Sequence, residues 1–130
     1  MPNTKTRGEI EDAICNGMSR FEQEFMGRGP KQVSTHLVGD ALLVRLRDVL
    51  TAAERHLVMT RPPEDGRELV KRVRSKLFDA ARPALEKLVE SIVGDAPSAI
   101  HHDICTVTGE EVVVFSFARA LSYRETGRGH

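Results

Sequence analysis

The residues best suited to bind an anion lie in the run Met26–Lys31, which reads MGRGPK. Gly27 and Gly29 let the backbone adopt positive φ angles and expose amide N–H groups, while Arg28 and Lys31 add positive charge beside them. The glycines follow a helix instead of opening one, so this is not the phosphate loop of nucleotide-binding proteins. The same residues also suit a simple helix stop before a strand. We therefore take Gly27, Arg28, Gly29 and Lys31 as a candidate anion-binding loop.

A second group of reactive side chains lies in the segment Ala99–Cys105. Alternate residues of a strand point to the same side, which places His101, Asp103 and Cys105 on one face. They could ligate a metal ion or form a base with an orienting carboxylate, but a histidine beside a carboxylate is also a common structural hydrogen bond. Zinc motifs draw ligands from two separate pieces of chain, and no CxxC or HxxxH pattern is present. His36 could join the set only if its strand lies beside this one.

The chain lacks the motifs of nucleophilic enzymes. No G-x-S-x-G pattern occurs, and the adjacent carboxylates of Glu110 and Glu111 fall at a predicted turn, where we expect them to be solvated. These features favour a non-enzymatic protein without a cofactor. A metal-dependent enzyme that uses His101, Asp103 and Cys105 is one alternative.

A locally basic helix provides the other alternative, a nucleic-acid-binding module. Its cations could contact phosphates of nucleic acid or an anionic membrane surface, or they could form a solvated face with salt bridges such as Glu68–Arg72. The solvated face is favoured, because 19 basic and 19 acidic residues cancel over the whole chain. The basic residues are Arg67, Lys71, Arg72, Arg74, Lys76 and Arg82.

Length and composition predict a soluble, single-domain protein. The 130 residues match the commonest domain size, and 40% hydrophobic with 29% charged residues is ordinary for a globular chain. No apolar run of about 18 residues could span a membrane, and the polar start does not resemble a signal peptide. Cys15 and Cys105 are too few for a disulfide framework and are expected to be free thiols. We therefore predict a cytoplasmic location.

Hydrophobic periodicity predicts three helices. Ile10, Ile14, Met18, Phe21 and Phe25 form one stripe of a helix from Arg7 to Met26, which the MGRGPK run ends. A Thr51–Glu54 capping box starts a short helix that extends to Met59, and a loop over Arg61–Gly66 follows. The third helix runs from Arg67 to Gly94, with Leu69, Val73, Leu77, Leu85, Leu88, Val89 and Ile92 as its apolar positions. Pro83 is expected to kink or split this helix near residues 79–82.

Two β-hairpins complete the predicted architecture. The strands are expected at Gln32–Val38, Ala41–Leu46, Ala99–Val107 and Val112–Phe117, with turns at Gly39-Asp40 and Thr108-Gly109-Glu110. The order predicts an α+β fold: four antiparallel strands in one sheet, packed against the N-terminal helix and the long proline-kinked helix. The second and fourth strands are apolar on both faces, so the sheet needs cover on its second side. A homodimer that pairs sheet faces or exchanges the first helix would provide it.

Several motifs together resemble one known family. They are Arg20-Phe21-Glu22 and Glu24–Lys31, Gly39-Asp40, Leu43–Leu46, Leu50–Glu54, Gly66–Val70, Arg82-Pro83, His102-Asp103-Ile104, Thr108-Gly109-Glu110 and Val113-Val114-Phe115. On these residues the chain resembles the MpsC family, named for a bacterial Na⁺-translocating, membrane potential-generating system. The resemblance extends from about Arg7 to Phe117, and the GRGPK loop is its most specific part.

The resemblance implies a setting but no catalytic residues. It associates the chain with membrane subunits for cation-coupled transport and inorganic-carbon uptake, in a peripheral or regulatory role. We therefore expect a single domain over residues 1–118 and a polar, disordered tail over residues 119–130. The expected partners are a second copy of the chain, a membrane-transport protein and a small anion, without nucleic acid and without membrane insertion.

Overall fold

The computed structural model describes residues 4–60 and 62–125 of the 130-residue chain. Three α-helices, one π-helical segment and four strands form the α+β fold that the sequence predicts. In chain order these are α1 (Arg7–Phe21), the π-helical segment (Glu22–Met26), β1 (Gln32–Val38), β2 (Ala41–Arg47), α2 (Ala52–Val58), α3 (Pro63–Val93), β3 (Ala99–Cys105) and β4 (Glu110–Ser116).

The four strands form one antiparallel sheet with the order β1-β2-β4-β3, so the two hairpins meet through their second strands. The central register pairs Leu42 with Phe115 and Val44 with Val113. Helices pack on one face of this sheet, which we call the covered face. Its buried side chains come from alternate strand positions, as the period of two requires. They are Thr35, Leu37, Leu42, Val44, Leu46, Ile100, Ile104, Glu111, Val113 and Phe115.

The opposite face of the sheet, which we call the open face, carries apolar side chains at its centre. Leu43 on β2 and Val112 and Val114 on β4 are half-buried there, whereas His36 and His101 on the two edge strands are exposed. An antiparallel sheet can leave one face to water, but that face is then polar. The sequence predicts that β2 and β4 are apolar on both sides. Their second apolar side is the centre of the open face, which no helix among the described residues covers.

Local hydrogen bonds fix the starts of two helices. Thr51 and Glu54 form the predicted capping box, with Glu54 N donating to Thr51 Oγ1 at 3.1 Å and Thr51 N to Glu54 Oε1 at 2.9 Å. Thr6 and Glu9 form a second box at α1. Each box satisfies amide groups that the first helical turn leaves without partners. Such short-range signals explain why these helix starts are readable from sequence.

The predicted start of the long helix is wrong. Residues expected in a loop before Arg67 already belong to α3, which begins at Pro63. Proline suits the first helical position, because its missing N–H would have no helical partner there. The helix also continues through Pro83 without splitting, because one lost backbone bond is tolerated in 31 residues that pack along the sheet.

The predicted apolar stripes are confirmed at Ile10, Ile14, Met18 and Phe21 of the first helix and at Leu85 and Val89 of the third, but parts of both stripes are out of phase. Phe25 is 47% exposed, because the π-helical segment changes the helical period and turns Met26 inward instead. On α3 the predicted core positions Leu69, Val73 and Leu77 are exposed by 39–44%. The buried line of α3 instead runs through Val70, Arg74, Phe78, Ala81, Leu85 and Val89.

The segment after β4 contacts the domain. Leu121 is 8% exposed and belongs to the hydrophobic core, with its N–H donating to Gly39 O at 3.1 Å. Arg124 forms an isolated parallel bridge with Thr6. The predicted tail therefore includes residues that contact the fold as far as Arg124, and its last five positions, 126–130, lie outside the described residues.

Candidate functional site

The most unusual feature of the interior is a charge cluster beneath the π-helical segment. The Arg74 side chain is 1% exposed, and the carboxylates of Glu22 and Glu111 are fully buried. Arg74 Nη2 donates to Glu22 Oε1 at 2.9 Å and to Glu111 Oε1 at 3.1 Å. Buried charges are rare unless they are paired, and here one guanidinium holds two acids that come from distant parts of the chain.

A third carboxylate completes the cluster. Glu54, on α2, accepts hydrogen bonds from Arg74 Nη1 at 3.1 Å to Oε1 and 3.2 Å to Oε2. Its side chain is 15% exposed, and the same Oε1 caps the backbone N–H of Thr51. Glu54 therefore links the start of α2 to the interior of the protein. The cluster as a whole joins the π-helical segment, α2, α3 and β4.

Each buried member of the cluster occupies an apolar position of its own element. Glu22 lies four residues after Met18 and four before Met26, both of which are buried. Arg74 likewise lies midway between Val70 and Phe78. A charged residue inside an apolar helical stripe must face the core, because residues four apart share one side of a helix.

The third buried member follows the strand period. Glu111 alternates with Val113 and Phe115 and therefore points to the covered face of β4. The expectation that Glu110 and Glu111 are both solvated is thus wrong for Glu111. Glu110 lies on the open face, where Arg45 Nη2 contacts its Oε2 at 2.7 Å. The assignment of Arg74 to a solvated basic face is also wrong, because Arg74 lies on the buried line of α3 between Val70 and Phe78.

The cluster carries an excess of negative charge. Three carboxylates surround one guanidinium, so full ionisation would leave a net charge of −2 in and beside the core. Burial, followed by the charge of Glu111, raises the pKa of Glu22 to about 8. Burial also raises the pKa of Glu111, although Arg74 opposes that rise. Burial lowers the pKa of Arg74, but the three acids outweigh it and the net shift is upward, which keeps the guanidinium charged.

Two carboxyl oxygens depend on a proton for a bonding partner. Glu22 Oε2 and Glu111 Oε2 are buried and, without a proton on either acid, have no hydrogen-bond partner; Arg74 Nε is also unpaired. Hydrogen bonding between the two carboxyls contributes to the raised pKa of Glu22. A proton shared by Glu22 and Glu111 therefore satisfies both acids and reduces the buried charge.

The surroundings of the cluster are aromatic on the β3 side. His102 on β3 stacks on Phe78 of α3 with ring centroids 4.3 Å apart, and its proximity makes a small contribution that lowers the pKa of Glu111. Phe78 also packs against Phe21 at 5.5 Å. The raised pKa of Glu22 makes the cluster a candidate proton-binding group beside these aromatic rings. Its geometry places no nucleophile beside an acceptor site.

The candidate anion-binding loop has internal partners at several of its groups. Gly27 adopts a left-handed conformation with φ +87°, as a positive-φ glycine loop requires. However, Gly29 N donates to Gln23 Oε1 at 3.0 Å, and Lys31 N donates to the Arg47 carbonyl at 2.9 Å. Arg28 Nη2 contacts Asp48 Oδ2 at 2.8 Å. An anion at this loop would compete with Asp48 for Arg28, and the anion site stays a prediction.

The candidate metal residues occupy the predicted face but are spread along it. His101, Asp103 and Cys105 lie at alternate positions of β3 on the open face, and Asp103 Oδ1 lies 3.5 Å from Lys71 Nζ. His36 is on β1, at the opposite edge of the sheet. No three His, Cys, Asp or Glu side chains among residues 4–60 and 62–125 come together as metal ligands. The metal assignment therefore has no preassembled set to support it.

The remaining cations of α3 are on the surface. Lys71 pairs with Asp103 across the β3 edge, and Arg82 Nη2 lies 3.9 Å from Asp79 Oδ1. These contacts agree with a solvated face. Neither they nor the comparisons with known proteins favour the nucleic-acid-binding module or the metal-dependent enzyme. No helix in the described part of the chain is long and apolar enough to cross a bilayer.

Comparison with known proteins gives one family. The model of the Na⁺-translocating membrane potential-generating system (MpsC) family matches residues 6–119, which include all the strands and helices described above. The chain is also 30% identical, over 117 residues, to the uncharacterized protein YbcI of Bacillus subtilis strain 168. That alignment covers 90% of this chain and 92% of YbcI. No solved structure matches significantly.

Proposed function

Because the chain belongs to the MpsC family, we propose that it is a non-enzymatic accessory protein of a cation-translocating, potential-generating membrane system. Within this role it acts as a regulator that responds to proton concentration. The proton binds at the buried cluster of Glu22, Arg74, Glu111 and Glu54. The cluster was not among the predicted sites. The chemistry of this proposal is proton binding at the cluster and includes no catalytic step.

One observation carries this proposal: Glu22 and Glu111 share a single guanidinium in the core, and their outer oxygens lack partners unless a proton is present. A group of this kind gains or loses its proton with a large energetic consequence, because water cannot screen the change. Systems that build a membrane potential alter ion and proton concentrations at the membrane. A proton-binding accessory protein fits that setting.

The position of the cluster connects proton binding to shape. Deprotonation places a second uncompensated negative charge between the π-helical segment, α2, α3 and β4, which weakens the packing of these elements on one another. The π-helical segment leads directly into the GRGPK loop. Arg74 also binds Glu54, which lies in the first turn of α2. A change at the cluster is therefore transmitted to the surface formed by the GRGPK loop and α2.

In this proposal the protein works in the cytoplasm as a homodimer, and the membrane system is its partner. The apolar centre of the open face supports the homodimer. Anion binding at the GRGPK loop is a second, separate proposal. Gly27, Arg28, Gly29 and the start of α2 line a shallow depression of about 390 Å³. Lys31, two residues beyond Gly29, makes no ion pair with the described residues and adds an uncompensated positive charge near this depression.

The regulatory role is tested in the native host by measuring the sodium-dependent membrane potential with a potential-sensitive dye. Cells lacking the protein are complemented with the wild-type chain, Glu22→Gln or Glu24→Gln. Gln at position 22 mimics the permanently protonated acid, so we expect it to remove the dependence of the potential on cytoplasmic pH. Glu24 is exposed on the same segment and serves as the matched control. Indistinguishable potentials in deleted and complemented cells would contradict the proposed role.

A further inference from the structure

The open face carries its basic and acidic side chains on different hairpins, and within one chain Glu110 contacts Arg45 at 2.7 Å while Asp103 lies 3.5 Å from Lys71. β1 and β2 contribute Arg45 and Arg47, whereas β3 and β4 contribute Asp103 and Glu110. The register places Leu43 in one cross-strand row with Val114, and Arg47 Nε lies 3.8 Å from Glu110 Oε2 just past the last pair of that register, Leu46 with Glu111. The apolar pair therefore lies at the centre of the face, and the charged side chains lie at one end of it.

This pattern is complementary to itself under one two-fold rotation. We propose that a second copy of this chain covers the open face, related by a two-fold axis that runs between the sheets, parallel to β2 and β4. The rotation places each β1–β2 half over the partner's β4–β3 half. Leu43 then faces the partner's Val114, and Arg47 faces the partner's Glu110.

The other in-plane two-fold axis runs perpendicular to the strands and places each strand over its own copy in reverse. Arg47 on β2 then lies over the partner's β2 and cannot face the partner's Glu110 on β4. Both axes keep the strands of the two sheets aligned, as face-to-face packing requires. The two arrangements therefore differ in whether Arg47 and Glu110 meet across the interface.

The occupant is a second copy because Arg47 and Glu110, 3.8 Å apart within one chain, would each meet the opposite charge of the other copy. Arg45 and Arg47 are 41% and 52% exposed, and Glu110 is 27% exposed, so all three reach the surface that a partner would cover. Val38, which is 63% exposed, extends the apolar surface at the other end of the face. A closed two-fold pair uses one patch on both copies and leaves no edge for further growth.

A charge-swap mixture tests the arrangement. Arg47→Glu alone places a carboxylate opposite the partner's Glu110, and Glu110→Lys alone places an ammonium group opposite the partner's Arg47. We expect each variant to self-associate at least about tenfold more weakly than the wild type, because like charges meet twice. Mixing the two restores opposite charges at both positions, so a heterodimer forms. Sedimentation equilibrium measures the three association constants.

Cross-linking tests the axis directly. Gln32 on β1 and Cys105 on β3 lie at opposite edges of one sheet, about 14 Å apart over three strand intervals. The proposed rotation brings Gln32 opposite the partner's Cys105. A short bis-maleimide should therefore couple Gln32→Cys chains into dimers, mapped as a 32–105 link. The wild type and the double variant Gln32→Cys/Cys105→Ser should not cross-link.

This inference rests on the homodimer that we propose above but not on its proton-binding role. A wild-type chain that sediments as a monomer at every concentration overturns it, as does a dimer that yields no 32–105 link or that Val73→Asp on α3 disrupts. The pH dependence of unfolding at the Glu22 cluster is measured on the same samples. A monomeric chain whose unfolding still depends on pH would contradict the dimer but support the regulatory proposal.

Discussion

Glu22 and Glu111 accept hydrogen bonds from the same atom, Nη2 of Arg74, at 2.9 Å and 3.1 Å. Neither carboxylate is exposed to solvent. Two acids that share one donor in the core cannot both be ionised at low cost, because a single positive charge offsets only one of them. This relationship makes the interior of the protein sensitive to pH, and it sets the direction of the stability changes that follow.

Glu22→Gln should remove part of the pH dependence of stability. The unfolded acid loses its proton near its ordinary pKa of 4.5, whereas the folded acid keeps it to about 8. The folded state therefore binds more protons between these values, and the free energy of unfolding falls as pH rises through that range. Gln has no proton to lose, so urea unfolding between pH 5 and 9 should show a flatter profile and a more stable variant at pH 9.

Glu24→Gln provides the control for this measurement. Glu24 is exposed on the same π-helical segment, so its variant should keep the wild-type slope. Parallel pH profiles for the wild type and Glu22→Gln would show that the buried acid does not titrate in this range.

Arg74→Met should destabilise the fold strongly. Met has a similar length but leaves the buried acid pair, which shares one proton and carries one negative charge at pH 7, without a cation, and this costs about 3–5 kcal/mol in the free energy of unfolding. Adding Glu22→Gln and Glu111→Gln to this variant removes the uncompensated charge and should recover much of the loss. Arg72→Met, two positions away on the exposed side of α3, should change stability by no more than about 0.5 kcal/mol. Equal losses for both arginines would argue against the cluster.

The fold could be predicted where its signals are local. Thr51 and Glu54 are three residues apart and satisfy each other's backbone groups, and Gly39 lies at a hairpin turn between two apolar runs. Such motifs fix the type and order of the elements without distant contacts. The family could be read from sequence as well, because its motifs extend over nearly the whole domain.

The cluster could not be assembled from sequence, although each member carried a signal. Glu22, between Met18 and Met26, and Arg74, between Val70 and Phe78, both interrupt apolar helical lines. The periodicity shows that each faces inward, but only the contacts of Arg74 with Glu22 of the π-helical segment and Glu111 of β4 show that they meet. The π-helical segment adds a second difficulty, because its longer turn changes the phase after Glu22 and leaves Phe25 outside.

Gly66→Ala should lower the melting temperature, whereas Gly8→Ala should raise it. A Cβ at Gly66 would lie 1.7 Å from the Leu57 carbonyl oxygen and 2.8 Å from Thr60 Oγ1, where α2 meets α3. Backbone atoms must shift to admit it, at a cost of roughly 1–3 kcal/mol. Gly8 has no atom within 4 Å of such a Cβ, so alanine there should gain about 0.4–1 kcal/mol. Calorimetric melting of both variants checks the α2–α3 contact, and an unchanged Gly66→Ala melt would contradict it.

Asp48→Asn should strengthen anion binding at the GRGPK loop if that loop binds anions. Asp48 adopts φ +58°, which Asn also tolerates, and its carboxylate pairs with Arg28 and Arg55. The neutral amide keeps the backbone conformation but releases both guanidinium groups. Because a partly exposed ion pair contributes about 0.2–1 kcal/mol, the expected gain in phosphate affinity is a few-fold. Calorimetric titration with phosphate and with bicarbonate measures it.

Arg28→Ala and Lys31→Ala complete that experiment. Both should weaken binding in the Asp48→Asn background, because each removes one cation beside the left-handed Gly27. Arg72→Ala, on the exposed surface of α3, removes the same charge away from the loop and should leave the titration unchanged. If the wild type and Asp48→Asn both give no heat above dilution, the loop serves only to end the π-helical segment and to direct the chain into β1.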